Sequence, residues 1–302
     1  MNGTIRVGTR ESALAMAQSR LIVNLLESRF SGLKFELVGM KTRGDVLLDT
    51  RLDLIGGKGL FVNEIENALI EDKIDMAVHS MKDMPAVMPG QLTIAAVSER
   101  EDPRDVLVTT NGQSLKELRN GAVVGTSSIR REVQLLALRP DLNVRQLRGN
   151  VLTRLDKLGA GEYDAIVLAA AGLKRLGLHE KCGRCFSVEE MIPAIGQGIL
   201  GVQVRKGGKM QELVNSVNSP DTWLALEAER SFMVRLNGGC STPVAAHAVI
   251  SGNEMKIMGM LAANDGKTVL RAAVEGDKRQ APTLGERLAD LMVQNQRSMG
   301  DC

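Results

Sequence analysis

Cys240 has the setting of a usable nucleophile. It follows a helix-like run and Gly238-Gly239 and precedes Ser241-Thr242-Pro243, so its thiol is expected on a turn with room beside it. An inert, half-buried loop cysteine is the plainer alternative. A second candidate is His79-Ser80-Met81-Lys82-Asp83-Met84-Pro85, where an imidazole, an ammonium and a carboxylate follow a strand-like run. Loops at strand ends present catalytic groups, and a carboxylate there can move a proton or stabilise a developing cation. The alternative is an ordinary surface Lys-Asp pair. A third feature is the gathering of Arg130, Arg131, Arg145, Arg148 and Arg154, which predicts a local cationic surface suited to a compact polyanion.

Other motifs carry less. Gly196-Gln197-Gly198-Ile199-Leu200-Gly201 has glycine spacing seen in dinucleotide sites, yet it precedes a strand-like run instead of opening a helix. Gly57-Lys58-Gly59 lacks the Ser or Thr and the upstream glycine of a nucleotide-phosphate loop. Cys182 and Cys185 have the spacing of half a zinc site, but His79, His179 and His247 complete no ligand set, so no metal is expected.

The elements that must position these groups alternate in type. Strands are expected at Ile5–Gly8, Phe35–Met40, Met76–His79 and Leu92–Val97, with helices at Ser12–Ser28 and near Phe61–Ile70. Leu14, Ala17, Leu21, Leu25 and Leu26 are read as the inward face of the first helix, with Ser12 as its cap. Residues 42–59 read as a long loop of the kind that forms lids. Further on, strands are expected at Val106–Val108, Val123–Gly125 and Ala165–Leu168, with a helix over Ile129–Leu138 stopped by Pro140. Val124-Gly125-Thr126 echoes Val7-Gly8-Thr9, each before a polar turn and a helix, which predicts two similar lobes facing one cleft. Gly198–Arg205 is expected to return the chain to the first lobe. Then come a helix bearing Leu224, Ala228, Phe232 and Leu236, strands at Val244–Ile250, Lys256–Ala262 and Val269–Val274, and a last helix near Thr283–Gln296.

Composition narrows the classes. At 302 residues the chain has room for two or three domains. Hydrophobic residues make up 44% and charged residues 25%, and no apolar run reaches the ~18 residues of a membrane span. One Trp, one Tyr and five Phe offer no stacking platform, and a net charge of +2 is only mildly basic, so nucleic acid is a poor partner. Four cysteines make no disulfide framework, and with no export-type leader read at the start a reduced cytoplasmic setting is expected.

The longest motifs settle on one resemblance. Glu229 to Ala245 reads E-R-S-F-M-V-R-L-N-G-G-C-S-T-P-V-A and resembles, position by position, the cofactor-attachment segment of the porphobilinogen deaminase (hydroxymethylbilane synthase) family. His79 to Pro85 resembles that family's catalytic segment, and similarity runs from V-G-T-R-E-S into the last third of the chain, fading after about Val274. The resemblance implies a fold of two periplasmic-binding-protein-like α/β lobes facing a cleft plus a small α+β C-terminal domain. The expected division is 1–98 completed by 199–217, then 103–193, then a cofactor-attachment domain at 220–302.

By the same resemblance Cys240 holds a dipyrromethane cofactor through a thioether, and Asp83 is the catalytic carboxylate with Lys82 beside it. Cofactor contacts are implied for Ser80, Lys82, Asp83, Thr126, Ser128, Arg130, Arg131 and Arg154. Substrate contacts are implied for Arg10, Ser12, Gln18, Lys58, Arg148, Arg175 and Gln197, and Phe61 also fits the pattern. Each pyrrole carries an acetate and a propionate, which arginine's planar fork binds bidentately, while Ser12, Thr126 and Ser128 stand at helix starts whose N–H groups attract anions. Leu54 departs from the lysine the family pattern carries before G-G-K-G and leaves Lys58 as that loop's cation. The implied activity is a transferase of tetrapyrrole (porphyrin, heme) biosynthesis. It releases ammonia from four porphobilinogen molecules, joins them head to tail into hydroxymethylbilane and requires no metal; a monomer is expected because the sequence shows no heptads and no large periodic apolar surface beyond the core faces. Two rivals remain: a non-catalytic polyanion binder using the same arginines, and a cysteine hydrolase built on Cys240, for which no His-Asn or His-Asp partner set stands out.

Overall fold

The computed structural model describes residues 4–42, 44, 62–181, 183–236, 243–262 and 268–300. The chain divides into two compact units, Met1–Glu101 with Ile199–Trp223, and Asp102–Gly198 with Leu224–Cys302. Among the described residues no helix is long and apolar enough to cross a membrane.

In the first unit β1 (Thr4–Arg10), α1 (Ala13–Arg29), β2 (Lys34–Met40), α2 (Asn63–Ile70), β3 (Met76–Ser80) and β4 (Leu92–Val97) follow in order. The chain returns to it with β10 (Leu200–Arg205) and α6 (Lys209–Asn215). The sheet order is β2-β1-β3-β10-β4, with β1 parallel to both neighbours and β10 antiparallel to β3 and β4. Strand alternation sorts the side chains: Met76, Val78, Val202 and Val204 pack with Ile22, Val23 and Leu26 of α1, whereas Ala77 packs with Ile65 and Leu69 of α2.

The helix expected at Ser12–Ser28 forms over Ala13–Arg29, and the Ala15 N–H donates to the Ser12 hydroxyl oxygen at 3.3 Å. Of the face read from the sequence only Leu26 is fully buried, with Leu14 and Ala17 half-buried. Leu21 and Leu25 are 45% and 46% exposed, while Gln18, Ser19, Ile22, Val23 and Leu26 turn inward. At ~100° per residue the two stripes lie about a third of a turn apart. Because α1 is apolar on more than one side, the sheet selects between them. It takes the stripe of β-branched Ile22 and Val23 with small Ser19, which fits closely against pleated strands.

The second unit opens with β5 (Asp105–Val108), β6 (Val123–Gly125), α3 (Ile129–Leu138), β7 (Asn143–Arg145) and α4 (Val151–Gly159). β8 (Ala165–Ala169), α5 (Ala170–Arg175) and β9 (Arg184–Cys185) complete its larger sheet, of order β7-β6-β8-β5-β9. Here too the second strand is parallel to both neighbours, and an antiparallel strand, β5, separates the third from the edge. Val7-Gly8-Thr9 and Val124-Gly125-Thr126 therefore occupy equivalent places in two sheets of like order. α4, not expected from the sequence, is capped by Asn150, whose Oδ1 accepts from the Thr153 N–H at 3.0 Å.

α7 (Pro220–Arg235) runs across the division, and β11 (Val244–Ser251), β12 (Glu254–Ala262), β13 (Val269–Asp277) and α8 (Ala281–Gly300) follow it. The three strands form an antiparallel meander whose inner face packs Ala246, Ala248 and Ile257 against Ala228 and Phe232 of α7 and Leu284 and Leu288 of α8. Ala245, Met260 and Ala262 meet Val133 of α3 and Ile192 from the larger sheet's connections, so the meander shares a core with them.

Candidate active site

β3 ends at Ser80 and the chain tightens into one 3-10 turn, Met81–Asp83. Met81 and Met84 are buried and Lys82 and Asp83 are exposed, so two apolar anchors hold the pair of charges out on a short, fixed stretch. The Met81 N–H donates to the Ile199 carbonyl at 3.0 Å, and the Met84 N–H to the Met81 carbonyl at 3.3 Å. A Cβ at Gly201 would stand 2.2 Å from the Met81 sulfur. Gly196 and Gly198 have φ of +70° and +89°, where other residues are strained. The glycine-rich run thus has a structural account of its own: two positive-φ positions at Gly196 and Gly198, and one close approach of Gly201 to Met81.

Behind this turn lies a buried polar chain. The Gln203 amide donates through Nε2 to Glu66 Oε1 at 2.8 Å, and its Oε1 meets His79 Nε2 at 2.9 Å. A Gln oxygen only accepts, so the His79 proton sits on Nε2. Burial pushes the imidazole down to about 4, opposed by the Gln203 bond and reinforced by the charge of Arg10, so His79 is neutral near pH 7. Burial likewise raises the Glu66 carboxyl, with the Gln203 bond acting the other way. Arg10 ends β1, Ser12 caps α1 and Gln18 is buried along that helix.

In the second unit the start of α3 is tied down internally. The Ser128 N–H donates to the Thr126 hydroxyl at 3.2 Å, the Ser127 hydroxyl donates to the Leu147 carbonyl at 2.5 Å, and Ser128 is the N-cap. Arg130 and Arg131 do not join an open cationic surface. Both are buried, and both close on Asp105, which has no exposure. Burial alone would raise the Asp105 carboxyl, yet the two guanidinium charges and their hydrogen bonds hold it far below the usual carboxylate range. Gln197, expected at the substrate, is fully buried as well. Its Nε2 donates to the Pro103 carbonyl at 2.6 Å and to Asp105 Oδ1 at 3.0 Å. The rest of the expected cluster is more open: Arg145 is exposed, and Arg148, Arg154 and Arg175 are half-buried. Arg154 Nε donates to the Gly149 carbonyl at 2.8 Å and Arg175 Nη2 to the Gly198 carbonyl at 2.6 Å.

Glu229, which opens the E-R-S-F-M-V-R-L-N-G-G-C run, is fully buried and accepts from the Gly196 N–H at 2.7 Å and the Ala248 N–H at 2.9 Å, with His247 Nδ1 3.6 Å away. Cys240, Lys58, Phe61, Leu54 and Cys182 lie outside the described residues. Among the described residues no three His, Cys, Asp or Glu side chains group as metal ligands. Sequence reasoning missed Glu66, Asp105, Gln203 and Glu229. Asp105 left the clearest signal, since an acidic residue heading the apolar run Val106-Leu107-Val108 is buried only if cations meet it.

Residues 5–212 match the family model described as "Porphobilinogen deaminase, dipyromethane cofactor binding domain", and residues 223–294 match "Porphobilinogen deaminase, C-terminal domain". A porphobilinogen deaminase of Alkaliphilus metalliredigens (strain QYMF) is 46% identical over 292 residues, spanning 96% of this chain and 92% of that protein. One from Syntrophotalea carbinolica is 46% identical over 293 residues, spanning 97% and 93%. Among solved structures, the methionine-binding protein MetQ aligns with a TM-score of 0.46 at 13% identity, over 73% of this chain and 92% of that one. With both family models matched in order and nearly the whole length shared with these relatives, the chain belongs to the porphobilinogen deaminase family.

Proposed function

We propose that this chain deaminates four porphobilinogen molecules in turn and joins them head to tail into hydroxymethylbilane, with Asp83 as the catalytic carboxylate and Cys240 as the tether of a dipyrromethane primer. The observation that carries the residue assignment is the turn after β3. There a carboxylate within the stretch that matches the family model is exposed between two buried methionines, while its neighbours in the chain are fixed by backbone bonds. When bound, the primer supplies the pyrrole carbon to which the first incoming unit is joined.

The donor set suits a ligand rich in carboxylates. Arg10, Arg148, Arg154 and Arg175 stand at strand ends, loops and helix ends with guanidinium groups only partly covered, and Ser12 and Ser128 head helices. Ser80 precedes the turn and Lys82 lies within it, and both bind beside Asp83; Thr126 holds the α3 start, Gln18 supports α1, and Lys58 adds a further cation. Loss of ammonia from the aminomethyl group leaves positive charge on the substrate pyrrole. The fixed Asp83 carboxylate stabilises that charge as it develops and takes up the proton that the attacking pyrrole loses from its α-carbon, once the new C–C bond has formed, as that ring regains aromaticity. Holding the acetate and propionate groups on arginines keeps the reacting carbons aligned between cycles. The protein acts as a monomer in the cytoplasm, in keeping with a sequence without heptads or a disulfide framework.

Asp83→Ala is the direct test. The variant is expected to keep the tethered pyrroles and a wild-type thermal melt while ammonia release falls by about 10²-fold or more. Ammonia release within a few-fold of wild type would overturn the assignment of Asp83. A polyanion binder would release none even as wild type.

A further inference from the structure

The Asp105 carboxylate is saturated by protein donors. Oδ2 accepts from Arg130 Nη1 at 2.7 Å, and Oδ1 accepts from Arg131 Nε at 3.1 Å, Arg131 Nη2 at 2.8 Å and Gln197 Nε2 at 3.0 Å. Each arginine has a second anchor, Arg130 Nη1 on the Ile192 carbonyl at 2.8 Å and Arg131 Nη1 on the Val167 carbonyl at 2.9 Å. Gln134 fixes Ile192 in turn, accepting from its N–H at 2.8 Å and donating to its carbonyl at 3.2 Å. Four buried side chains from β5, α3 and the 196–198 turn therefore form one rigid assembly.

Its charge does not balance. Two guanidinium groups face one carboxylate, which leaves an excess of one positive charge in a buried place, an arrangement that is unfavourable unless a further anion compensates it. A structural ion pair would need only one of the two arginines. Arg130, moreover, meets Asp105 and Ile192 through Nη1 alone, so among the described residues its Nε and Nη2 edge is not engaged by these bonds. That edge presents two parallel N–H donors, the geometry that a carboxylate accepts bidentately.

We propose that Asp105 is a positioning residue, supported by Gln197, which locks Arg130 and Arg131 into a fixed, half-neutralised pair whose remaining charge and donors receive a pyrrole carboxylate. The proposal rests on the function set out above and deepens it. Asp105 touches no substrate, and Gln197 acts on Asp105 instead of on the ligand. The pair is set before substrate arrives, so binding spends little on ordering long side chains.

Asp105→Asn keeps the shape but replaces one acceptor oxygen with a donor facing guanidinium. It is expected to be loaded with cofactor to a lower fraction by intact mass, and the loaded fraction to show a KM for porphobilinogen raised by about tenfold or more with kcat changed much less. Loading and KM both within twofold of wild type would overturn the proposal, as would an equal fall in kcat with KM unmoved. If Asp105→Asn does not fold, Gln197→Met decides: it removes one donor and leaves the charges, and KM is expected to rise several-fold. A lowered melting temperature with an unchanged KM would make the assembly merely structural. A wild-type protein that carries no pyrrole mass and releases no ammonia would instead sink the functional reading itself, so the two failures are distinct.

Discussion

At the scale of single residues, the neutral state of His79 follows from its surroundings: it is buried, donates to Gln203 and lies near the positive charge of Arg10. Its folded value of about 4 lies below its ordinary 6.5, so between those limits the unfolded chain binds more protons. Stability from His79 is therefore full above about pH 6.5 and is lost as pH falls toward 4, by roughly 3 kcal/mol across the window. Glu66 works in the opposite sense, because a raised carboxyl favours the fold at lower pH. Glu66→Gln should accordingly show a steeper loss of melting temperature between pH 6.5 and 4.5 than wild type. A wild-type protein whose His79 ring titrates near 6.5 by NMR would contradict this. Residues of this kind were not legible in the sequence. Gln203 and Glu66 are 137 positions apart, and only the folded sheet makes them partners. The exposed turn that bears Lys82 and Asp83 was legible, because a contiguous polar motif follows the strand-like run at Met76–His79.

At the scale of elements, the turn that displays Asp83 depends on the strand beside it. Gly201 is matched to His79 across the β3–β10 pairing, and the Met81 side chain fills the space where a Cβ would be. Gly201→Ala is expected to cost about 1–3 kcal/mol by forcing Met81 to move. It should also lower kcat, because Met81 adjoins Lys82 and Asp83. Chemical denaturation and steady-state rates check both parts, and a stable variant with wild-type kcat would show that the anchor is slack. Most strands and the long first helix were legible from alternation and from the Ser12 cap, whereas α4, capped by Asn150, was not. The inward side of α1 was not, because leucines lie on both sides of it and only contact with the sheet decides. The short β7 and β9 were not legible either: unlike the equally short but apolar β6, they hold one valine between polar residues and an Arg-Cys pair.

At the scale of the whole molecule, the fold joins a repeated sheet order, a strand that returns from far along the chain, and a meander built on α7 and α8. The echo of Val7-Gly8-Thr9 in Val124-Gly125-Thr126 made the likeness of the two sheets legible. The burial of Arg130, Arg131 and Gln197 around Asp105 was not legible, because a count of arginines says nothing of where a carboxylate will meet them. The function proposed for the chain depends on a primer carried on one sulfur. The most direct measurement is the intact mass of the purified, active protein beside that of Cys240→Ser. Wild type is expected to exceed its sequence mass by two pyrrole units localised to the peptide containing Cys240, and the variant to lack the addition and the turnover. An active protein with an unmodified Cys240, or a variant that makes product at the wild-type rate, would contradict the account.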